Sequence, residues 1–393
     1  MSLTDEEEQQ LRARIDGLLK RVNQYKTNLC KNAPLSDEQI AYFDGIEITY
    51  KSVLKVFKRY VLALEKRTEP KMQYMKKAFE NLINNPPQNT YEALLLASQY
   101  WFLQEDIDCV RVRTMGGLDQ LYYQFYKNDL DNGTFTKENI EELFVYFMNE
   151  FNAIRVHYQE PMYLGGMNES GDCIVNELSY IVLDAYNVLS APNPKLQAKI
   201  GNNTPDKFLK AVVETIRNGN SSISIMNDDN AALSLMKLGV PEEEALTNLM
   251  SGCWDYTVKN HEVKTIPVRV SLPKVLEYTM TNGRCLSTNE IVGCETGNNF
   301  ETFEDFYSAY EKQWLYIWKR FKSIIENWEL YLADISPSNM FSGTMTDSLE
   351  QGVDGYARGM KYNTTVYTVA GLGTLVDSLC AIKKYVFDKK EVS

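Results

Sequence analysis

The sequence has 393 residues, of which 44% are hydrophobic and 24% are charged, a composition typical of a soluble globular protein with a large core. Its formal net charge of -12 argues against nucleic acid as a partner, because binding to a phosphate backbone depends on clustered lysines and arginines. There are only two histidines, His157 and His261, which leaves few routes to a zinc site or a histidine-assisted nucleophile. Acid-base chemistry would therefore fall to carboxylates and tyrosines.

Seven cysteines are scattered along the chain without the spacing of a disulfide framework or of a CxxC metal motif. We expect them to be reduced thiols in a cytoplasmic protein that binds no metal. No basic segment followed by an apolar core opens the sequence, and no uncharged apolar run is long enough to span a membrane. The sequence therefore predicts neither export nor contact with a membrane.

Residues 1–108 predict a helical N-terminal region. Apolar residues recur there at three- and four-residue spacing, which is the period of amphipathic helices. The stretch "NNPPQN", Asn84 to Asn89, is the strongest breaker and joins two of the predicted helices.

Residues 109–393 predict an α/β body. The short apolar or β-branched runs "CVRVRTM", "EPMYLGG", "QAKIG" and "SSISIMND" alternate there with helix-like segments at Lys137 to Asn152 and Ile174 to Leu189. The predicted fold class is therefore α/β and helix-rich. In such bodies the ends of strands and the loops after them usually carry function.

One such place is "NLMSGCWDYTVKN", Asn248 to Asn260. It follows a predicted helix from Pro241 to Leu249, which begins with proline and has glutamates in its first turn. Gly252 permits a tight turn, so the sequence predicts Cys253 at a loop tip. A buried cysteine is most often a small hydrophobe, and the loop position with the nearby Asp255 carboxylate is what favours chemistry instead.

Three segments occur in this order: Met115 to Phe147, Glu160 to Ala185 and Asn193 to Tyr256. Together they resemble blocks of the glycyl radical enzyme family, which includes pyruvate formate-lyase, and the resemblance is closest to the diol dehydratase and choline lyase type. Met115 to Phe147 resembles the family's Gly-x-x-Asp-Gln segment, and Glu160 to Ala185 resembles its Leu-Gly-Gly turn and Asn-Glu-Leu helix. Asn193 to Tyr256 is similar to the segment that leads into the Gly-Cys-x-Glu loop. The resemblance implies part of a ten-stranded α/β barrel preceded by a helical layer.

The resemblance also implies roles for individual residues. Cys253 corresponds to the thiyl radical residue, and Asp255 replaces the family's glutamate as a general base with a shorter reach. Trp254 stands where pyruvate formate-lyase has a second cysteine, which argues against acetyl transfer. The matching blocks imply a substrate-binding set of Asp119, Tyr163, Asn227, Asp228 and Tyr256. Tyrosines and Asn-Asp turns are more often structural, so each of these positions also has a packing explanation.

The family's C-terminal signature, Arg-Val-Ser/Ala-Gly-Tyr, is missing from these residues. The nearest string, "YTVAGLGT", has Thr368 in place of the arginine and Leu372 in place of the tyrosine, so Gly371 is predicted to be structural. We therefore expect a glycyl radical on a partner subunit, installed there by a radical S-adenosylmethionine activase, and no cofactor bound to this chain.

The implied reaction is radical C–O, C–N or C–S cleavage of a small polar molecule, and a higher oligomer is compatible with this reading. The alternatives are a non-catalytic scaffold or binding protein that retains the fold, and a shortened chain.

Overall fold

The computed structural model describes residues 14–109, 113–153, 161–252 and 255–392. The chain divides into two compact units. The larger comprises Met1–Glu262 and Ser336–Tyr362, and the smaller comprises Val263–Ile335 and Asn363–Ser393. The predicted boundary between residues 108 and 109 is a change from helices alone to alternating strands and helices, and the helices before it belong to the larger unit.

Within the described residues, four helices form the N-terminal layer of the larger unit. They are α1 (Ile15–Asn32), α2 (Asp37–Leu64), α3 (Pro70–Leu82) and α4 (Thr90–Asp108). Ser36 begins α2 with a reciprocal capping box to Gln39. Asn89 caps α4 by accepting a hydrogen bond from the Glu92 amide, so the proline-rich breaker ends in a helix cap.

A later segment completes the core of this layer. Met340 and Leu349 are buried among the apolar side chains of the four helices. The fully buried Arg21 donates to the Gly343 carbonyl at 3.2 Å and to Thr346 Oγ1 at 2.8 Å. The Tyr50 hydroxyl donates to the Met340 carbonyl at 2.8 Å. The segment 336–362 is therefore part of the N-terminal core, although it is almost 300 residues away in the sequence.

A four-stranded parallel sheet follows the helical layer in the chain, with its strands in sequence order. The strands are β1 (Gly116–Gly117), β2 (Pro161–Gly165), β3 (Lys195–Ile200) and β4 (Ile223–Asn227). The helices between them are α5 (Leu118–Leu121), α6 (Tyr123–Asp131), α7 (Lys137–Ala153), α8 (Glu177–Leu189) and α9 (Asp206–Arg217). Three of the predicted runs are strands, whereas "CVRVRTM" lies partly outside the described residues and its last three residues precede the sheet.

The two faces of this sheet differ in chemistry. Met162, Leu196 and Ile223 are aligned across three strands and belong to the main hydrophobic core. Since side chains alternate along a strand, the next aligned row lies on the opposite face. That row contains Tyr163 and Gln197, so one face of the sheet is apolar and the other carries polar groups.

The rest of the larger unit contains short elements. They are α10 (Asp228–Lys237), α11 (Glu242–Leu246), β5 (Leu249–Ser251), β6 (Asp255–Thr257), α14 (Asn339–Ser342), α15 (Thr346–Gln351) and a 3₁₀ turn at Gly355–Ala357. The helix predicted from Pro241 to Leu249 is shorter than expected, because it ends at Leu246 and Leu249 begins a strand.

The smaller unit is built around one long helix. Its elements are β7 (Glu262–Ser271), α12 (Leu272–Met280), α13 (Phe303–Ile335), β8 (Tyr362–Ala370), α16 (Leu372–Ile382) and a π-helical turn at Lys383–Asp388. Strands β7 and β8 form a two-stranded sheet. Its core includes Val270, Leu276, Phe306 and Leu375. Within the described ranges, no helix combines the length and the apolar character needed to cross a membrane.

Gly371 has a backbone reason to be glycine. Its φ is 81°, and a Cβ added there would lie 2.6 Å from Pro273 Cδ. We expect Gly371→Ala to lower the free energy of unfolding of the smaller unit by about 1–3 kcal/mol, the usual cost of a strained backbone position. Gly373→Ala is the matched control, because it lies inside α16 with nothing within 4 Å of its Cβ position, and it should stabilise by about 0.5–1 kcal/mol.

Calorimetric unfolding of the two variants measures both effects. Equal changes in the two variants would contradict the structural role of Gly371.

Candidate active site

The predicted cysteine loop, residues 252–254, lies between two short antiparallel strands. Strands β5 and β6 pair Ser251 with Asp255 and Met250 with Tyr256. Gly252 follows Ser251 with a φ of 58°, and its amide donates to the Arg113 carbonyl at 3.2 Å. Cys253 and Trp254 lie outside the described residues, so the loop-tip position of Cys253 stays a prediction. The positive φ of Gly252 confirms the turn that the sequence predicted at this glycine.

The hairpin presents Asp255 and Tyr256 to opposite sides. Met250 is fully buried and packs with Tyr163, Met226 and Tyr256, which places this side of the hairpin against the polar face of the sheet. Because side chains alternate along a strand, Asp255 points to the other side, where it is half-buried. The predicted base and the predicted binding residue therefore do not share one face.

A buried lysine lies where the hairpin meets the sheet. Lys199 Nζ is 2.9 Å from Asp228 Oδ1, and their side chains are 2% and 0% exposed. The same ammonium donates to the Asn248 carbonyl at 2.6 Å and lies 5.5 Å from the centre of the Tyr163 ring. Burial lowers the pKa of Lys199, and the Asp228 carboxylate opposes that effect. Lys199 thus joins β3 to the start of α10 and to the residue before β5.

Asn248 extends this polar network. Its Nδ2 donates to Asp228 Oδ1 at 3.2 Å and to the Ala245 carbonyl at 3.0 Å. Asp228 Oδ2 and Asn248 Oδ1 are buried and have no hydrogen-bond partner among the described residues. A Cβ at Gly166 would lie 3.0 Å from Lys199 Nζ and 3.4 Å from Asp228 Oδ2, so the network occupies the space beside this glycine.

Lys199 and Asn248 were missed by the sequence analysis. A usable signal was present for Lys199, because "KLQAKI" alternates polar and apolar residues and the strand is buried at its four central positions. A lysine on the polar row of such a strand requires a buried counter-charge. Asn248 carried no signal of its own, since its charged partners Asp228 and Lys199 lie 20 and 49 residues earlier in the chain.

Asp119 fixes the turn that follows β2. Its side chain is fully buried, and its Oδ2 accepts hydrogen bonds from the Gly165 amide at 2.8 Å and from Ser179 Oγ at 2.6 Å. Burial raises the pKa of Asp119 to about 6, although these hydrogen bonds oppose the shift. Asn176 Nδ2 also donates to the Asp119 carbonyl at 2.7 Å, so this segment is tied to the start of α8.

The other predicted binding residues fall into two groups. Asn227 is exposed, and its side chain caps α10 by accepting from the Asn230 amide at 2.8 Å. Tyr163 and Tyr256 are brought together with Asp228 on the hairpin side of the sheet, and burial raises the pKa of both phenols. The substrate-binding roles of the whole set, and the catalytic roles of Cys253 and Asp255, stay predictions.

Six of the seven cysteines lie within the described residues, and all six are free thiols. Among them, Cys285 accepts hydrogen bonds from the hydroxyl and the amide of Thr288, which lower the pKa of its thiol to about 6. It lies in the smaller unit, in the loop after α12. Within the described parts of the chain, no group of three or more His, Cys, Asp or Glu side chains is arranged to hold a metal ion.

The raised pKa of Asp119 has a consequence for stability. The folded state favours the protonated carboxyl, so this contribution to the free energy of unfolding is fully present below about pH 4 and is lost as the pH rises to about 6. The expected loss is about 3 kcal/mol. Asp119→Asn should remove it, whereas Asp206→Asn, an exposed position in the first turn of α9, should not.

Urea unfolding of the wild type, Asp119→Asn and Asp206→Asn from pH 4 to pH 7 measures how the free energy of unfolding of each protein depends on pH. Burial also raises the pKa of Asp108 to about 6. Asp108 therefore makes the same pH-dependent contribution to the free energy of unfolding of all three proteins, and this contribution cancels in the comparison. A wild-type profile parallel to that of Asp119→Asn would contradict the assignment.

Comparison with known sequences identifies relatives over most of the chain. The model of the pyruvate formate lyase-like family matches residues 8–393. Trans-4-hydroxy-L-proline dehydratase of Clostridioides difficile is 30% identical over 328 residues, which are 78% of this chain and 41% of that protein. Isethionate sulfite-lyase of Oleidesulfovibrio alaskensis is 29% identical over 336 residues, or 79% of this chain and 40% of that protein.

Solved structures agree with this result. The crystal structure of hydroxyproline dehydratase from Clostridioides difficile, with trans-4-hydroxy-L-proline bound, matches with a TM-score of 0.86 and 26% identity, covering 97% of this chain and 52% of that chain. Glycerol dehydratase from Clostridium butyricum has the same TM-score at 22% identity, which shows the fold alone. The chain thus spans about half the length of these relatives, or less. The predicted helix-rich α/β fold class is confirmed, and the chain belongs to the pyruvate formate lyase-like family of glycyl radical enzymes.

Proposed function

We propose that this chain is the thiyl-bearing subunit of a glycyl radical enzyme that cleaves a C–O, C–N or C–S bond in a small polar molecule. The observation that carries the proposal is the hairpin at the cysteine loop, which pairs Ser251 with Asp255 on either side of residues 252–254. Support also comes from the relatives, which are named as dehydratases and a sulfite-lyase. Trp254 in place of a second cysteine disfavours acetyl transfer.

The proposed reaction is a closed relay of hydrogen atoms. A glycyl radical takes the hydrogen atom of Cys253 Sγ–H, and the resulting thiyl radical takes a hydrogen atom from a substrate carbon. Asp255 accepts a proton from a substrate hydroxyl or ammonium group while the leaving group departs from the neighbouring carbon with its bonding electrons. The proton held by Asp255 passes to the departing group. The product radical then takes a hydrogen atom from Cys253 Sγ–H, and the thiyl radical so formed takes a hydrogen atom back from the glycine, so the glycyl radical is regenerated and the reaction involves no net oxidation.

The polar network supports a substrate that donates hydrogen bonds. Asp228 Oδ2 and Asn248 Oδ1 are buried acceptors without a partner among the described residues. Such atoms cost free energy unless a donor reaches them. A hydroxyl or ammonium group on the substrate would supply that donor. We therefore favour a substrate that carries a hydroxyl or ammonium group.

A second polypeptide is proposed as the source of the radical glycine. The chain spans 40–49% of the length of its first three relatives, and the radical signature does not occur in these 393 residues. Strands β1 and β4 each have one neighbour in the sheet of the described residues, and exposed strand edges readily pair with another chain. A radical S-adenosylmethionine activase would then act on the partner.

Removing the thiol tests the relay. We expect Cys253→Ser to abolish turnover of the activated complex while the melting temperature stays within about 2 °C, because a hydroxyl cannot carry the radical. Asp255→Asn should lower kcat by about 10²–10⁴, the usual contribution of a general base. Cys109→Ser removes an exposed thiol and serves as the matched control. Undiminished turnover in Cys253→Ser would refute the catalytic assignment.

Co-expression tests the split arrangement. The chain is expressed anaerobically with a neighbouring reading frame that encodes Arg-Val-x-Gly-Tyr and with its activase. We expect a stable complex whose electron paramagnetic resonance spectrum shows a glycyl doublet, and the doublet should be lost when the partner's glycine is replaced by alanine. A stable monomer that binds no such partner, with no glycyl signal in any complex, would favour a non-catalytic scaffold instead.

A further inference from the structure

We infer that Lys199 is a positioning residue for the cysteine loop: its buried ammonium holds the base of the β5–β6 hairpin through the Asn248 carbonyl. The inference rests on the proposed function for its effect on catalysis. The contact itself is independent of any partner or radical.

The hairpin needs an anchor of this kind. Strands β5 and β6 have three residues each and form a sheet of their own, separate from the four-stranded sheet. Two-stranded hairpins are marginally stable by themselves. Met250 supplies an apolar contact to Tyr163 and Met226, but apolar packing is not directional. The bond from Lys199 to the Asn248 carbonyl is directional and acts on the residue immediately before β5.

The ammonium itself has little freedom to move. Asp228 Oδ1 lies 2.9 Å from Nζ, the Asn248 carbonyl lies 2.6 Å away, and the Tyr163 ring is on a third side. On a fourth side lies Gly166, where an added Cβ would come within 3.0 Å of Nζ, so the ammonium occupies the space that a larger residue would need. A donor confined in this way fixes its acceptor, and hydrogen transfer between a thiol and its partners is sensitive to displacements of about 1 Å.

Stability and positioning can be separated by substitution. Removing one member of a buried ion pair leaves a charge without a partner and destabilises strongly, whereas replacing both members with apolar residues of similar size is often neutral. The variant Lys199→Met with Asp228→Leu therefore removes the charges together. It also removes the donor to the Asn248 carbonyl and the acceptor of Asn248 Nδ2, so the hairpin loses its anchor on both the backbone and the side chain of this residue.

The readout is the rate at which iodoacetamide alkylates Cys253 in the full-length chain, measured by peptide mass spectrometry at a temperature where every variant is folded. Cys285 in the smaller unit is the internal reference. We expect each single variant to melt at a lower temperature than the double variant. The double variant should nevertheless alkylate Cys253 at least fivefold faster than wild type, with Cys285 unchanged within twofold. Lys237→Met, at the exposed end of α10, is the control and should match wild type.

A Cys253 rate in the double variant less than fivefold above that of wild type would overturn the inference. If the double variant does not fold, Lys199→Arg decides, because it keeps the charge but cannot place its larger group beside Gly166. Amide hydrogen exchange should then rise in residues 248–257 and not in α8, and equal exchange in both would overturn the inference. Failure of the proposed function is distinguishable, since it appears as turnover in Cys253→Ser and leaves these rates unaffected.

Discussion

A buried ion pair between Lys199 and Asp228 is the constraint on which the arrangement of the candidate site depends. The sheet must place a charged ammonium where water is excluded, and an isolated charge there would be prohibitively costly. The Asp228 carboxylate at the start of α10 neutralises the ammonium, which also donates a hydrogen bond to the Asn248 carbonyl before β5. The helix start, the sheet and the hairpin base are therefore fixed relative to one another by one group of atoms.

The binding residues that the resemblance implies differ in the contacts they make in the structure. One carboxylate oxygen of Asp119 accepts hydrogen bonds from the Gly165 amide and from Ser179, and the Asn227 side chain caps a helix. Tyr163 and Tyr256 make contacts that leave their rings on the hairpin side of the sheet. A residue that matches a family motif can thus stabilise the backbone, and the match alone does not identify a substrate contact.

The sequence predicted local features better than long-range ones. The strands β2 to β4 and the turn at Gly252 could be predicted because their signals are local. Runs of β-branched or apolar residues predict the strands, and a glycine, which can adopt a positive φ, predicts the turn. The helix predicted to reach Leu249 was too long. Its residues favour a helix, and nothing in them indicates that Leu249–Ser251 would instead pair with β6. The partners of Lys199 could not be predicted, since positions 163, 228 and 248 meet it only through the parallel order of the strands.

The burial of Arg21 has a consequence for the synthesis of this protein on the ribosome. Its acceptor Thr346 is 325 residues further along the chain, so roughly 15–60 s of translation separate the two at about 5–20 residues per second. Until then these two bonds cannot form, so α1 lacks the contacts that tie it to the segment 336–362. Helix α1 therefore completes its native packing only after the segment 336–362 has been synthesised, when Met340 and Leu349 also join the core of the helical layer.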